Sequence, residues 1–371
     1  MAEHDLDTDQ VAQAIDQLGE AEKLIVTLVL YESRSMDEAA EVLELSTEDA
    51  AALYERAVLR IRERVGRTAD ARPILSQATI DAECAAAWRA YDAGLAERYT
   101  EYFEHRPELR GEQRYSARDL VAALPPGGAG LGDLVAPGEW HRHYLSAKSS
   151  QTLAVGLLGR AARLDPSLNW LWQAFGPLPG AASDFPSIEF EQPLDPEVLN
   201  ERPQQTAVDV LVRDPTALMC IEVKWREEGL GACKRGPDGG NPVQGHCAQR
   251  VQDRELYWQA AGDLFGFPER QPPGPCPISA AYQAVRNAAA AQALAEPGQV
   301  PVFGLIYDEN NPYFAGHGGW PGWPAILSGA VEANADEQQF RFRSISWQAL
   351  FPLLPLDEET REWAHEKHQL V

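Results

Sequence analysis

Residues 207–225 read AVDVLVRDPTALMCIEVKW. Two short runs rich in β-branched and apolar residues, AVDVLV and ALMCIEVKW, are joined by the polar RDPT, a pattern that predicts a β-hairpin. Inside these runs stand Asp209, Glu222 and Lys224, spaced as Asp-x12-Glu-x-Lys. Alternate residues of a strand share a face, so Glu222 and Lys224 project together while Val223 points into the opposite layer. If the two strands pair antiparallel, Asp209 reaches the same face. Charged side chains are uncommon in such runs without a purpose. Two carboxylates a few ångströms apart are tolerated mainly when a hard divalent cation such as Mg²⁺ (or Mn²⁺) lies between them. A lysine beside them can orient or deprotonate the attacking water and stabilise charge developing on a phosphate. The structural alternative for the three residues is an ion pair at the rim of a sheet.

The surroundings extend the pattern. HRHYLSAKSSQTLAVGLLGRAARL (141–164) reads as a helix that is polar in its first turns and apolar later, and SIEFEQPL alternates with period two. Downstream come a helix containing AYQAVRN and the apolar strand VPVFGLIYD (300–308). The order is helix, three strands, helix, strand. Together with Asp209, Glu222 and Lys224, this order resembles the PD-(D/E)XK restriction-endonuclease-like nuclease superfamily. Within it, LSAKSSQ, IEVKW with a long following loop, YW, CP and YQxxRN are similar to a bacterial restriction-like subgroup. The resemblance covers about residues 140–371. It implies an α/β core, a mixed sheet flanked by helices. It also implies that Asp209 and Glu222 are metal ligands, that Lys224 is the catalytic lysine, and that Glu191 is an auxiliary acid, with Glu189 as the competing candidate. Gln283 and Arg286 would approach the site or the scissile phosphate, although an amphipathic helix exposes such residues anyway. Lys148, with Ser149, Ser150 and Gln151, offers either phosphate binding at a helix N-terminus or plain helix polarity. The function implied is a Mg²⁺-dependent endonuclease cutting DNA, double-stranded by preference, in restriction or phage defence. RNA cleavage shares the phosphate chemistry, and paired cuts on two strands would suit a homodimer.

Residues 1–73 read differently. LGEAEKLIVTLVLYE (18–32) carries Leu24, Ile25, Leu28 and Val29 as a buried helix stripe. SMDEAAEVLEL (35–45) opens with a capping box, Ser35 and Glu38. Ser46 caps a third helix with Leu53, Ala57 and Ile61 on one side. The helix-turn DEAAEVLELS and the ending RAVLRIRERV make this stretch similar to region 4 of bacterial sigma factors, which implies an all-α helix-turn-helix domain contacting DNA or a protein partner. Glu48 and Asp49 in the first turn of the recognition helix would repel phosphates, and Arg56, Arg60, Arg62 and Arg64 would offset them in part. The alternative function is a non-catalytic DNA- or polymerase-binding regulator carried on a degenerate nuclease scaffold.

Residues 74–139 form the connector, with one helix bearing Ala85, Trp88, Tyr91 and Leu95 and a Pro/Gly-rich hinge, LPPGGAGLGDLVAPGEW (124–140). Three domains are therefore expected, 1–73, 74–139 and 140–371. Five cysteines at irregular spacing do not form a secreted disulfide framework. No run approaches the ~18 apolar residues of a membrane span, and the first residues do not read as a signal peptide, so the expectation is a cytoplasmic chain with no membrane partner. Cys233, Cys247 and Cys276, with His246, could hold zinc or an iron–sulfur cluster, but none of the spacings is Cys-x2-Cys and loop thiols are the default reading. Trp320 and Trp323 either stack on bases or cover a small satellite core.

The net charge of -24 first argues against a nucleic-acid partner. Its distribution changes that. Residues 141–164 hold 4 basic and no acidic side chains, and residues 209–290 hold 10 acidic and 9 basic, two of the acids being the metal-ligand candidates. The acidity lies mostly elsewhere, and it predicts weak non-specific DNA binding and dependence on a divalent cation.

Overall fold

The computed structural model describes residues 15, 18–31, 34–43, 45–47, 49–51, 53, 54, 57, 76–136, 138–176, 186–199, 206–231, 260–265, 279–332 and 340–371. It divides into two compact units, one drawn chiefly from Met1–Ile74 and one from Leu75–Asn334 and Gln339–Val371.

In the first unit, α1 (Glu20–Val26) runs into a π turn (Thr27–Tyr31), and α2 (Met36–Val42) follows. The capping box forms: Glu38 N–H donates to Ser35 Oγ (3.3 Å) and Ser35 N–H to Glu38 Oε2 (2.8 Å). Asp49 N–H donates to Ser46 Oγ at 3.1 Å, so Ser46 also serves as a cap. Ile25, Val26, Leu28, Ala39, Ala40, Ala50 and Ala57 make the core. Leu24 departs from the expected stripe: it is 44% exposed and Val26 is buried in its place. Ile25 and Leu28 are buried as expected, and Val29 packs partly buried against the same cluster. Glu48, Arg56, Arg60, Arg62 and Arg64, the charges on which phosphate contact would turn, lie outside the described residues.

The second unit is built on a five-stranded mixed sheet in the order β1 (Ser187–Pro193), β2 (Ala207–Asp214), β3 (Ala217–Val223), β4 (Val300–Tyr307), β5 (Arg341–Ser346). β1, β2 and β3 are antiparallel neighbours, and β4 and β5 add in parallel. The β2–β3 connection is tightened by Asp214, whose carboxylate accepts from the N–H (2.9 Å) and hydroxyl (2.7 Å) of Thr216, an Asx-type turn. β5 was not anticipated from the sequence.

β3 is buried along its whole length, because each face of the sheet is covered. On one face, α4 (Ser150–Ala154, continuing through the π turn Val155–Gly159 into Arg160–Leu164) packs Leu153, Leu157, Leu158 and Ala161 into the cluster that holds Val210, Val212, Met219 and Ile221. On the other, the alanine-rich α5 (Tyr282–Leu294) shares a cluster with Leu211, Leu218, Cys220, Phe303 and Leu305. The helix expected over 141–164 starts only at Ser150: Ser149 turns its side chain onto Thr152 N–H (3.3 Å) and ends the preceding turns.

α3 (Gln77–His105) supplies Ile80 and Cys84 to one cluster and Leu95, Tyr99, Tyr102 and Phe103 to the other, so it belongs to this unit. Leu124, Leu131 and Val135, from the Pro/Gly-rich stretch, are also core residues. Trp320 and Trp323 are buried edge-to-face in a satellite of the α5 side, ring centroids 5.2 Å apart. Cys84 and Cys220 are buried thiols. Cys233, Cys247, Cys276 and His246 lie outside the described residues. No helix among the described residues is long and apolar enough to cross a membrane.

Candidate active site

The β2–β3 ladder carries Cα pairing as far as Val210↔Ile221 and then opens. Beyond that pair, β3 keeps its parallel partner, Lys224 N–H donating to Ile306 O at 2.8 Å. The amide of Val223, left without a strand partner on the β2 side, donates instead to Asp209 Oδ2 at 2.8 Å. The side chain thus replaces a ladder bond, and the fork between the strands becomes a place where side chains converge. Oδ1 of Asp209 has no protein partner among the described residues.

Glu191 faces Asp209 from β1. The pairs Phe190↔Val210 and Gln192↔Val208 flank it without an inserted residue, yet its φ is 49°. A left-handed conformation costs a non-glycine residue on the order of 1–3 kcal/mol and is found where a side chain is re-aimed for a purpose. Of the two candidate glutamates, Glu191 lines the cleft, whereas Glu189 pairs with Arg213 at 3.7 Å.

Glu222 and Lys224 project toward α5, as strand alternation requires. Lys224 Nζ sits 2.6 Å from Glu222 Oε1 and donates to Gln283 Oε1 at 3.0 Å. The other oxygen of Glu222 accepts from the amide of Asn287. Gln283 and Asn287 are four positions apart and so share one face of α5. The start of that helix is tied to the segment after β3: Gln283 N–H donates to Leu230 O at 2.9 Å.

Electrostatics follow from the crowding. Burial, then the charges of Asp209 and Glu222, push the Glu191 carboxyl up to about 9. Burial and Glu222 push Asp209 up to about 7. For Lys224 burial alone would lower the pKa, but Glu222, Glu227 and Asp209 outweigh it and hold the ammonium charged. Glu227 is itself engaged, accepting from Trp225 N–H and from the Ser150 hydroxyl, both at 2.6 Å.

These residues border a cleft of 560 Å³ whose walls also include Gln151, Lys148, Arg226, His141 and His143. Six of the seven residues singled out from the sequence, Asp209, Glu222, Lys224, Glu191, Lys148 and Gln283, meet there. Arg286 does not line it. That side chain leans over Tyr282 (6.0 Å), although its charge still acts on Asp209. Lys148 is not a free phosphate ligand at the helix start, because it precedes the N-cap and its Nζ is bound to Asp92 Oδ1 at 2.6 Å. Asp92, Asn287 and Glu227 were not foreseen. Only Asn287 left a trace, as the last letter of YQxxRN.

The Restriction Endonuclease associating with ARP family matches residues 134–368. The chain belongs to that family. Its matched region takes in the sheet, α4, α5 and the cleft lining except Gln113 and Tyr115, and so gives this unit a restriction-endonuclease-like domain. Sigma-70, region 4 matches residues 14–63, which contain α1 and α2 and give the first unit its helix-turn-helix character. No curated protein and no solved structure matches the chain. α3 lies ahead of the family match, although one of its residues, Asp92, reaches the cleft wall.

Proposed function

We propose that the chain is a divalent-cation-dependent endonuclease that hydrolyses DNA, with double-stranded DNA as substrate and restriction or phage defence as its setting. The observation that carries this reading is the convergence of Asp209, Glu222, Glu191 and Lys224 at the fork of β2 and β3, inside an open cleft. An ion pair at a sheet rim has no need of three carboxyl groups at such close quarters.

The donor set suits a hard cation. It is all oxygen, and the raised Asp209 and Glu191 carboxyls mark an excess of negative charge that a cation would offset. Among the described residues no three His, Cys, Asp or Glu side chains form a ready metal cage. Asp209 and Glu222 would therefore hold the ion as a pair, with water and substrate oxygens completing its shell, a habit of Mg²⁺. When bound, it supplies charge stabilisation at the phosphate and lowers the pKa of water.

The protein's own groups do the rest. Lys224 is kept as an ammonium ion and pinned between Glu222 and Gln283, so it serves to stabilise the charge that grows on phosphate oxygens in the transition state. Asn287 holds Glu222 in its rotamer. Glu191 holds a proton at neutral pH until a cation enters, so it is an acid of the cleft that could donate to a leaving oxygen. Cuts on both strands would call for two copies of the chain.

Plasmid DNA incubated with Mg²⁺ or Mn²⁺ tests this, beside Lys224→Ala and Asp209→Ala proteins. Metal-dependent cutting lost in both variants is the expected result, and cutting that survives both would sink the site. The Sigma-70 region 4 match favours a second reading, a DNA- or polymerase-binding regulator on a non-catalytic scaffold. Absence of cutting with every metal and methylation state, together with a gel shift by the intact chain, would select it.

A further inference from the structure

We propose that Arg226 is a phosphate-binding residue of the cleft, held by Asp92 and Trp88 of α3 so as to take a backbone phosphate next to the one at Lys224. The proposal rests on the nucleic-acid reading above, but not on cleavage. It makes α3, which the family match does not include, a working part of the site.

Arg226 is held from three directions. Its Nε donates to Asp92 Oδ1 at 2.8 Å, its guanidinium lies over the Trp88 ring at 5.2 Å, and its backbone carbonyl accepts from Trp88 Nε1 at 2.8 Å. Among the described residues its two terminal nitrogens have no hydrogen-bond partner, the side chain is 39% exposed, and it lines the cleft. A guanidinium clamped at Nε and on one face leaves a fixed two-nitrogen edge, the fork that fits two phosphate oxygens. Such an arrangement has already lost the rotamer freedom that a surface arginine would lose on binding.

The same carboxylate oxygen of Asp92 takes Lys148 Nζ at 2.6 Å, and that ammonium also lies 4.8 Å from the Tyr115 ring centroid. One carboxylate between two cations leaves these three groups at about +1, the sign a phosphodiester requires. Of the acids that follow on the same segment, Glu227 is turned onto Trp225 N–H and the Ser150 hydroxyl, and Glu228 also acts on Arg226. Arg226 follows Lys224 by two residues and lines the same cleft, so the two can face neighbouring phosphates of one strand. The ligand class is thus a polynucleotide backbone, with at least one phosphate beside the reacting one.

The test uses the full chain and a DNA duplex without divalent cation, so that binding is read apart from cutting. Affinity is measured across a salt series for wild type, Arg226→Ala, Arg226→Lys and Asp92→Asn, after thermal melts confirm that each is folded. Loss of one phosphate contact predicts that Arg226→Ala lowers the log–log salt slope by about 0.9 and weakens binding roughly tenfold. Arg226→Lys keeps the charge and the slope but not the fork, so its affinity falls between the two. Asp92→Asn releases both Arg226 and Lys148 and removes a negative charge, so its slope does not fall below wild type, while the Arg226 Nε shift on binding shrinks because the fork is no longer aimed. The ¹⁵N resonance of Arg226 Nε, assigned by its disappearance in Arg226→Lys, is followed in the same titration. A saturable shift supports the proposal. If other signals move while this one stays still, or if Arg226→Ala binds with wild-type slope and affinity, the proposal is overturned. If the protein binds in this way but cuts nothing, the nuclease reading falls and the Arg226 site stands. If it cuts with Arg226→Ala unchanged in KM, the reverse holds.

Discussion

Replacing Gly231 by alanine probes the scaffold behind Lys224. Gly231 has φ of +70°, and a Cβ there would lie 2.6 Å from Gln283 Oε1, 2.7 Å from its Cδ and 2.9 Å from its Cγ. Three atoms of one side chain are too close, so Gln283 must swing aside as a whole, and the 3.0 Å bond from Lys224 breaks. The left-handed backbone costs alanine about 1 kcal/mol, and losing a hydrogen bond to a charged group costs about 2 kcal/mol. Gly231→Ala is therefore expected to destabilise by about 3 kcal/mol. In a Gln283→Ala background there is nothing to displace, and the same change should cost only the backbone part, about 1 kcal/mol. Urea unfolding of the four proteins reads out a coupling of about 2 kcal/mol, well outside the usual error of additivity for independent sites. Strictly additive effects would show that Gly231 and Gln283 do not share the space described, and that the support given to Lys224 comes from elsewhere. In the nuclease assay both single variants should lose most activity, and the double variant should be no worse than Gln283→Ala.

Lys367 gives a test with a pH axis. It is 2% exposed, donates to Ala123 O at 2.7 Å, and burial pushes it down to about 7. The unfolded chain, with an ordinary lysine, binds the extra proton between pH 7 and about 10.4, so stability should rise with pH across that window, by up to about 5 kcal/mol. Lys367→Met should flatten this rise and be more stable than wild type at pH 7, and a slope equal to wild type in chemical denaturation would refute the burial argument. Glu191 works with the opposite sign: its carboxyl is raised when folded, so its own contribution to the stability of the metal-free protein falls as pH climbs from the ordinary carboxylate range toward 9. Glu191→Gln should shrink the decline to the part that Asp209 contributes below about pH 7, and thermal melts of both proteins at pH 5, 7 and 8.5 will show whether the loss above pH 7 disappears. Added Mg²⁺ should raise the melting temperature at pH 8.5 in wild type and do so far less in Asp209→Asn. In the first unit, Ser35→Ala should cost about 1 kcal/mol of helix capping, read by the melt of α1 and α2 in circular dichroism.

What could be read along the chain was whatever obeys a local period. Glu222 and Lys224 had to share a face because strands alternate, and their joint approach to α5 follows from that alone. The antiparallel return through Asp214–Thr216 brings Asp209 within reach, which the polar RDPT connection already suggested. Other features were invisible because their causes are tertiary. Asp92 is in contact with Lys148 and Arg226 only because a long helix crosses the end of β3. Asn287, rather than Arg286, reaches Glu222 because the helix is rotated to set its fully buried face against β3, a choice that spacing within YQAVRN does not make. The helix expected to begin near His141 starts at Ser150, because Ser149 takes the amide of Thr152 as its cap. β5 escaped notice because RFRSIS, half polar, is held by a parallel neighbour rather than by its own hairpin. Charge, by contrast, was more informative by segment than in total.

The clasp between α3 and residues 363–370 makes the cleft wall depend on contacts formed far from it. Tyr99 shares a hydrogen bond of 2.9 Å with His368 Nδ1, although the two are 269 positions apart, and Arg98 donates to the carbonyl of His368. Trp363, Ala364 and Leu370 complete the same cluster as Leu95, Tyr99 and Phe103. Seating Tyr99 also fixes the turns of α3 that carry Trp88 and Asp92, so packing at residues 363–370 and the placement of Lys148 and Arg226 belong to one cooperative arrangement. A change that loosens this cluster is therefore felt at Lys148 and Arg226, about two helical turns along α3, without touching the cleft itself.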